Sequence, residues 1–358
     1  MILRMSTSNR DFDAVVIAGD IGGTNTNLAL VGLKDKRFRI LIDRHYRTKE
    51  ENSLAEPFSR FLADAEAACP GLKADGCCIS GAGPVVDGRI DLTNAPWGID
   101  GPDIEKRFGI PTKLINDFTA ISYGVVLLDP RSPGQLTRLP HLDGSRPLPE
   151  DGIKLIVGAG TGLGVGYVAQ HADKTEAFAS EGGHITLPVY DDESRAFQRW
   201  LELRSDFVPG AEAGVSGMGI GNLFLFFAER EAGRLGAGAA SILAAPETER
   251  PALIAAAAGS DPVCARAMDA FVKLYARVAA DLSAAFLPKG GVYLAGGIAS
   301  KNEAFFLEGS RFMAMFEKSY REHIRSILRG LPVMIVKDYD ISLYGAANAA
   351  VILGGGRG

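Results

Sequence analysis

Four times in this chain an apolar, strand-like run ends on closely spaced glycines: "GDIGGT" at 19–24, "SGAGP" at 80–84, "GAGTGLG" at 158–164 and "AGGI" at 295–298. No other feature constrains the fold as much. Residues 14–18 (Ala-Val-Val-Ile-Ala) and 28–31 (Leu-Ala-Leu-Val) flank the first turn and read as buried strands. Gly22 and Gly23 between them permit φ > 0 and bring bare backbone N–H groups within reach of a ligand. A hairpin turn would account for this stretch equally well. Asp20 weighs against that reading, because an acid at the buried end of a strand needs a partner.

Around these turns the chain alternates strands and helices. Strands are expected at 14–19, 27–33 and 37–46, and a helix at about 53–68 with Ser53 and Glu56 as a capping box. Cys77–Ser80 reads as a buried strand, Asp87-Gly88 as a hairpin turn, and 102–108 as a short helix closed by Gly109. "TKLI" is a strand running straight into "NDF". Residues 129–152, rich in Pro and Gly, read as a loop or linker. "IKLIVGAGTGLGVGYVAQH" then repeats the opening plan of strand, glycine turn and strand. Helices are expected over about 216–286, the longest near 262–286 with one apolar side. "PVMIVKD" is a last strand, before a helix from about 343. The order indicates an α/β protein with mixed sheets, built as two related lobes with a cleft between them.

With 358 residues, 47% hydrophobic and 23% charged, the chain can bury a full core. A net charge of -5 argues against a nucleic-acid partner, and no apolar run approaches the roughly 18 residues of a membrane span. The first residues carry no signal-peptide pattern. Cys69, Cys77, Cys78 and Cys264 match no zinc spacing and read as reduced core thiols, which makes the cytoplasm the expected compartment.

Glycine turns at strand ends in separate lobes suit a nucleoside triphosphate, since each offers several N–H donors to phosphate oxygens. No G-x-x-x-x-G-K-[ST] occurs, and "GAGTGLG" misses G-x-G-x-x-G because its third glycine position falls on Leu163 or Val165. Polar residues gather near these turns. Asn116-Asp117 stand where a strand gives way to a helix, and the aspartate can be a helix cap or a base. "SEGGHI" sets Glu181 and His184 about two glycines, where a histidine can be merely structural. Glu212 precedes a helix beginning near Ser216 and can be a charge favouring its dipole. Together Asn, Asp, His and two Glu offer the donors and acceptors that several vicinal hydroxyls need, which points to a sugar. A sugar beside a triphosphate implies γ-phosphoryl transfer to a hydroxyl.

These residues resemble the bacterial-type glucokinases of the sugar kinase/Hsp70/actin superfamily. "GDIGGTN" (19–25), "LINDF" (114–118), "GAGTGLG" (158–164), "SEGGHI" (180–185), "SGMGIGNL" (216–223) and "LAGGI" (294–298) occur in the family's order, from about residue 13 to the C-terminal helix. The resemblance implies a two-lobed actin-like ATPase (ribonuclease H-like) fold with a central cleft. The small lobe would be 1–119 completed by a C-terminal helix at 339–358, and the large lobe 120–338. It implies ATP-dependent phosphorylation of D-glucose at the 6-hydroxyl (EC 2.7.1.2), with Asp117 as general base and Asn116 holding neighbouring hydroxyls. Glu181, His184 and Glu212 would grip the rest of the ring. Gly19, Asp20, Ile21, Gly22, Gly23 and Thr24, with Gly160, Thr161 and Gly162, would cradle phosphates, and Gly296 and Gly297 would lie against adenosine. Asp20 would act on Mg2+ through bound water.

Two departures from the family pattern stand out. Many relatives carry arginine at the position of Asn27. Neighbouring repressor and kinase relatives follow an E-G-G-H-like segment with a cysteine-rich zinc site, whereas residues 185–200 hold no cysteine, so no zinc is expected and His184 would touch sugar. A kinase for mannose, fructose or N-acetylglucosamine is the nearest alternative. A sugar-sensing regulator would need a DNA-binding domain, and a chaperone-like ATPase would not need the polar cluster. Relatives are commonly dimers, which makes a homodimer one expectation; no membrane partner is expected.

Overall fold

The protein is described by a computed structural model over residues 9–92, 95–171, 174–231, 235–338 and 340–354. Residues 1–8, where the lack of a signal peptide was read, lie outside the described residues. So do 339 and 355–358 of the expected C-terminal helix.

Strands β1 (Ala14–Ile21), β2 (Asn25–Lys34) and β3 (Arg37–Arg47) form an antiparallel meander. β2 and β3 are joined through Asp35 and Lys36, both at positive φ (49° and 61°), as a two-residue hairpin turn requires. β4 (Gly76–Gly81) pairs parallel with β1. A small sheet of β5 (Val85–Val86), β6 (Arg89–Ile90) and β7 (Ile99–Asp100) follows, turning at Asp87-Gly88 as expected. β8 (Thr112–Asn116) pairs parallel with β4, giving the order β3-β2-β1-β4-β8. The second sheet contains β9 (Leu136–Arg138), β10 (Gly152–Ala159), β11 (Leu163–His171), β12 (Lys174–Ser180), β13 (Val292–Ala295) and β14 (Val333–Val336). Its order is β12-β11-β10-β13-β14-β9.

The chain divides into two compact units. One takes in Met1–Leu128, Thr175–Ala179 and Tyr339–Gly358; the other Asp129–Lys174 and Ser180–Asp338.

In the first unit, strand alternation assigns each residue a face. Val15 and Ile17 pack with Phe58 and Phe61 of helix α1 (Ala55–Ala68). Val16 and Ala18 face the other way, onto Leu343, Ala346 and Ala350 of the C-terminal helix Ile341–Leu353. Each large apolar side chain so buried contributes about 1.5–3 kcal/mol. The C-terminal helix closes tightly on helix α3 (Asp117–Val125): a Cβ on Gly345 would stand 1.8 Å from the Ala120 carbonyl oxygen. Asp20 has the parity of Val16 and Ala18, so its carboxylate meets the start of that helix.

Three local expectations are corrected. Helix α1 has no capping box: it starts at Ala55 behind Leu54, which makes no side-chain cap bond and is buried in the core instead. Residues 129–152 are not wholly loop, since Leu136–Arg138 pairs antiparallel with β14. Three residues are too few to show a period, and buried Leu136 and Leu139 anchor them. Gly22 and Gly23 are not at positive φ. A Cβ on Gly22 would meet the Asn25 carbonyl oxygen at 3.9 Å, an ordinary van der Waals contact.

In the second unit the 25-residue helix Pro262–Phe286 runs through the core, as the sequence places it. Its Tyr275 hydroxyl donates to the Val157 carbonyl of β10 at 2.6 Å.

Candidate active site

The first unit gathers the carboxylates. Asp20, near the end of β1, lies opposite Ser80 of β4, whose hydroxyl donates to it at 3.1 Å. Ser342, at the start of the C-terminal helix and 322 positions away, donates to its other oxygen at 2.9 Å. Burial pushes the Asp20 carboxyl up from its ordinary range, against the hydrogen bonds from Ser342, Ser80 and Asn27.

β8 passes directly into α3, and the cap is Asn116: its Oδ1 accepts from the Phe118 N–H at 2.9 Å. Its amide donates to the Gly83 carbonyl at 3.2 Å, fixing the "SGAGP" turn to the same strand end. Asp117 therefore stands in the first turn with the capping done by its neighbour. Burial lifts its pKa to about 6, helped by the Asp20 charge and opposed by hydrogen bonds from the Phe118 N–H and Asn116. A carboxylate with a pKa near neutrality is matched to taking a proton from a hydroxyl.

The glycine turn 22–24 is strapped by Thr48, just past β3. Thr48 donates through its hydroxyl to the Gly22 carbonyl at 2.8 Å and through its N–H to the Thr24 carbonyl at 2.9 Å.

The second unit gathers four motifs around one turn. Gly160–Gly162 separate β10 from β11, and Gly160 donates to the Gly162 carbonyl at 2.8 Å. Ser216 caps the helix Gly217–Arg230, as expected, and the Gly217 N–H donates to the Gly160 carbonyl at 2.8 Å. Glu212 Oε2 accepts from the Leu163 N–H at 2.7 Å, so this carboxylate is fixed to the turn rather than only facing a helix. Gly183 of "SEGGHI" lies against the Leu163 carbonyl, where a Cβ would stand only 1.8 Å away. Gly296 adopts φ 87° and closes on Ala159, its Cβ position 2.5 Å from that carbonyl oxygen. The N–H groups of Thr161 and Gly162 have no protein partner among the described residues, which leaves donors for an anion.

Glu181 and His184 flank a 3-10 turn, their side chains exposed (82% and 63%) and paired at 3.6 Å. The Ala211 N–H donates to the Ile185 carbonyl at 2.6 Å, which brings Glu181, His184 and Glu212 into one neighbourhood. Asp20, Asn116 and Asp117 form the corresponding neighbourhood in the first unit. Sequence reading missed Ser80 as a partner of Asp20, although it lies in the quoted turn. It also missed Ser342, for which no local pattern exists.

Comparison with known proteins identifies the family. A family model described as glucokinase matches residues 17–352. The glucokinase of Nostoc punctiforme is 31% identical, covering 95% of this chain and 99% of that protein. A glucokinase from an Antarctic psychrotroph superposes with a TM-score of 0.78 at 26% identity, covering 94% of this chain and 98% of the other. A ROK family glucokinase from Streptomyces griseus, solved with glucose and AMPPNP, superposes with a TM-score of 0.60 at 20% identity, covering 94% and 99%. The fold is the actin-like ATPase fold that the family resemblance implies.

Proposed function

The chain belongs to the glucokinase family, and from that premise we propose how its residues divide the work. The protein phosphorylates glucose with ATP as donor.

The observation that carries the assignment of roles is that Asp20 near the end of β1 and Asp117 just past β8 stand on either side of β4 in one sheet, with desolvation raising Asp117 to about 6. Asp117 is the general base. As the glucose 6-oxygen forms its bond to the γ-phosphorus, Asp117 takes the hydroxyl proton, and the bond between that phosphorus and the bridging oxygen of ADP breaks. Asn116, already committed to the cap and to Gly83, orients the Asp117 carboxylate and keeps a lone pair of its oxygen for a neighbouring sugar hydroxyl. Glu181, His184 and Glu212 take the remaining hydroxyls. The turn Gly19–Thr24 and the turn Gly160–Gly162 offer N–H groups to phosphate oxygens, and Gly296-Gly297 leave room for adenosine.

Asp20 is the residue toward Mg2+. Among the described residues no group of three or more His, Cys, Asp or Glu could hold a metal ion. A single carboxylate such as Asp20 suits a cation that keeps most of its waters and takes one or two carboxylates plus substrate phosphates, as Mg2+ does. When bound, Mg2+ neutralises phosphate charge. Asp20, held by two serine hydroxyls, would present its carboxyl oxygens to it.

Among the described residues no helix is long and apolar enough to cross a membrane. We place the protein in the cytoplasm, acting on small molecules without a nucleic-acid or membrane partner, with a homodimer as its assembly. The test is ADP formation from Mg·ATP across a panel of hexoses with a no-sugar blank. A rate confined to glucose is expected; equal rates with mannose or fructose would overturn the glucose assignment. For Asp117, the Asp117→Asn variant should lose turnover while still binding glucose.

A further inference from the structure

Two carbonyls of the first glycine turn are drawn to one residue. Thr48 opens a short 3-10 turn (Thr48–Glu50) just past β3 and is fully buried. Its hydroxyl donates to the Gly22 carbonyl at 2.8 Å, and its N–H donates to the Thr24 carbonyl at 2.9 Å. Its own carbonyl accepts at 3.0 Å from Trp97 Nε1, on the segment between β6 and β7. Every polar group of Thr48 therefore has a partner, and all of them lie in the first unit.

The atoms fix the direction of each bond. A carbonyl only accepts, so the single hydroxyl proton of Thr48 goes to Gly22. The Thr26 hydroxyl lies 3.0 Å from that of Thr48, so Thr26 is the donor between them. Thr26 is fully buried and has the parity of Leu28 and Leu30 on β2, which pack into the α1 core. Two hydroxyls in series thus hold the Gly22 carbonyl from the α1 face. Ile21, opposite Thr26, also lies in that core, so Asp20 beside it faces the other way.

Peptide geometry sets what this does to the turn. In a trans peptide the carbonyl of one residue and the N–H of the next point in opposite directions. Among the described residues no peptide bond is cis. Drawing the Gly22 carbonyl toward Thr48 therefore turns the Gly23 N–H away from the α1 face. The N–H groups of Gly23 and Thr24 have no protein partner among the described residues, whereas the Gly22 N–H donates to the Asn25 carbonyl at 2.9 Å. Valine at position 48 would match the shape of threonine and leave the Gly22 carbonyl without its donor, free to swing round.

We propose that Thr48 is a positioning residue for the nucleotide: its hydroxyl holds the Gly22 carbonyl back and so presents the Gly23 N–H to a phosphate oxygen. A carbonyl turned toward that oxygen would set two negative ends together, so one hydroxyl both aims a donor and withdraws an acceptor. The proposal rests on the reading of this turn as a phosphate cradle.

The test is calorimetric titration of Mg·AMPPNP onto glucose-saturated protein, with glucose binding measured separately without nucleotide. It compares wild type with Thr48→Val, Thr48→Ala, Thr48→Ser and Gly22→Asp. Thr48→Val and Thr48→Ala should each weaken Mg·AMPPNP binding by roughly tenfold, the weight of one hydrogen bond to a charged group, and leave glucose affinity unchanged. Thr48→Ser keeps the hydroxyl and should recover most of the loss. Gly22→Asp tests the reading beneath the proposal: a Cβ there makes only an ordinary contact, and the added negative charge should repel a triphosphate. Wild-type binding by Thr48→Val and Thr48→Ala, with weakened binding by Gly22→Asp, would overturn the proposal and leave the phosphate cradle standing. Wild-type binding by Gly22→Asp would overturn the cradle itself. Equal losses in the serine and valine variants, or a parallel loss of glucose affinity, would mark a packing defect and also overturn the proposal.

Discussion

Glu212 occupies the space that a side chain at Gly162 would need. A Cβ on Gly162 would stand 2.4 Å from Glu212 Oε2, the same oxygen that accepts from the Leu163 N–H at 2.7 Å. One carboxylate thus stiffens the glycine turn proposed for phosphate and belongs to the group proposed for sugar. Gly162→Ala should push that carboxylate aside. The obstruction is the far end of a flexible side chain, so the melting temperature should change little. Losing a charge-assisted hydrogen bond is worth about 1.5–3 kcal/mol, or roughly tenfold or more in binding. Steady-state kinetics should show KM for glucose and for ATP both raised by about that factor. Unchanged values for both would show that the contact does not shape the site.

The acid limb of the pH profile should belong to Asp117. Its carboxyl is raised to about 6, chiefly by burial. A base must be ionised to accept a proton, so kcat/KM should fall below about pH 6 and level off above pH 7. Asp117→Asn should lose about 10²–10⁴ in kcat and the acid limb with it. An unshifted limb in the residual activity of that variant would assign the titration to another group.

The same shift makes a stability prediction of definite sign. A carboxyl whose folded pKa lies above its unfolded value of 3.8 binds its proton more tightly in the native state. Its contribution to stability is complete below about pH 4 and is lost as pH rises through about 6. Asp117→Asn removes that dependence, so the variant should be more stable than wild type at pH 7, by at most about 3 kcal/mol before solvent screening. The advantage should shrink toward pH 4. Thermal unfolding at both pH values would read it, and a variant less stable at pH 7 would contradict the burial argument.

Much of this was legible along the chain because the signals were local. Apolar runs ending on glycines located β1, β4, β10 and β13, and "NDF" placed the junction of β8 and α3. What the chain could not show was contact at long range. Ser342 meets Asp20 only because the C-terminal helix returns to the face that carries Val16 and Ala18. Asn27 read as a departure from the family pattern, yet its partner is His45, fixed by strand register rather than spacing. Leu54 displaced the expected capping box because burial outweighed a side-chain cap.

The stretch 129–152 gains a consequence from one buried histidine. His141 is fully buried, and both of its ring nitrogens face acceptors: Nδ1 lies 2.9 Å from Glu317 Oε1 and Nε2 lies 2.9 Å from the Leu331 carbonyl oxygen. Glu317 is only 3% exposed and also accepts from the Leu142 N–H at 3.0 Å and from Arg329 Nε at 3.2 Å. The histidine therefore ties this stretch to the segment around Glu317 and Leu331 within the second unit. Removing one partner of a buried pair costs about 3–5 kcal/mol. Because Leu142 and Arg329 still serve Glu317, His141→Ala should lie at the low end, near ~3 kcal/mol, with a melting temperature several degrees lower. No proposed site residue touches His141, so kcat and KM at low temperature should stay within about twofold. Limited proteolysis should cut the variant first between 139 and 150. A variant that melts with wild type and resists cleavage there would show that the two acceptors contribute nothing to holding this stretch in place.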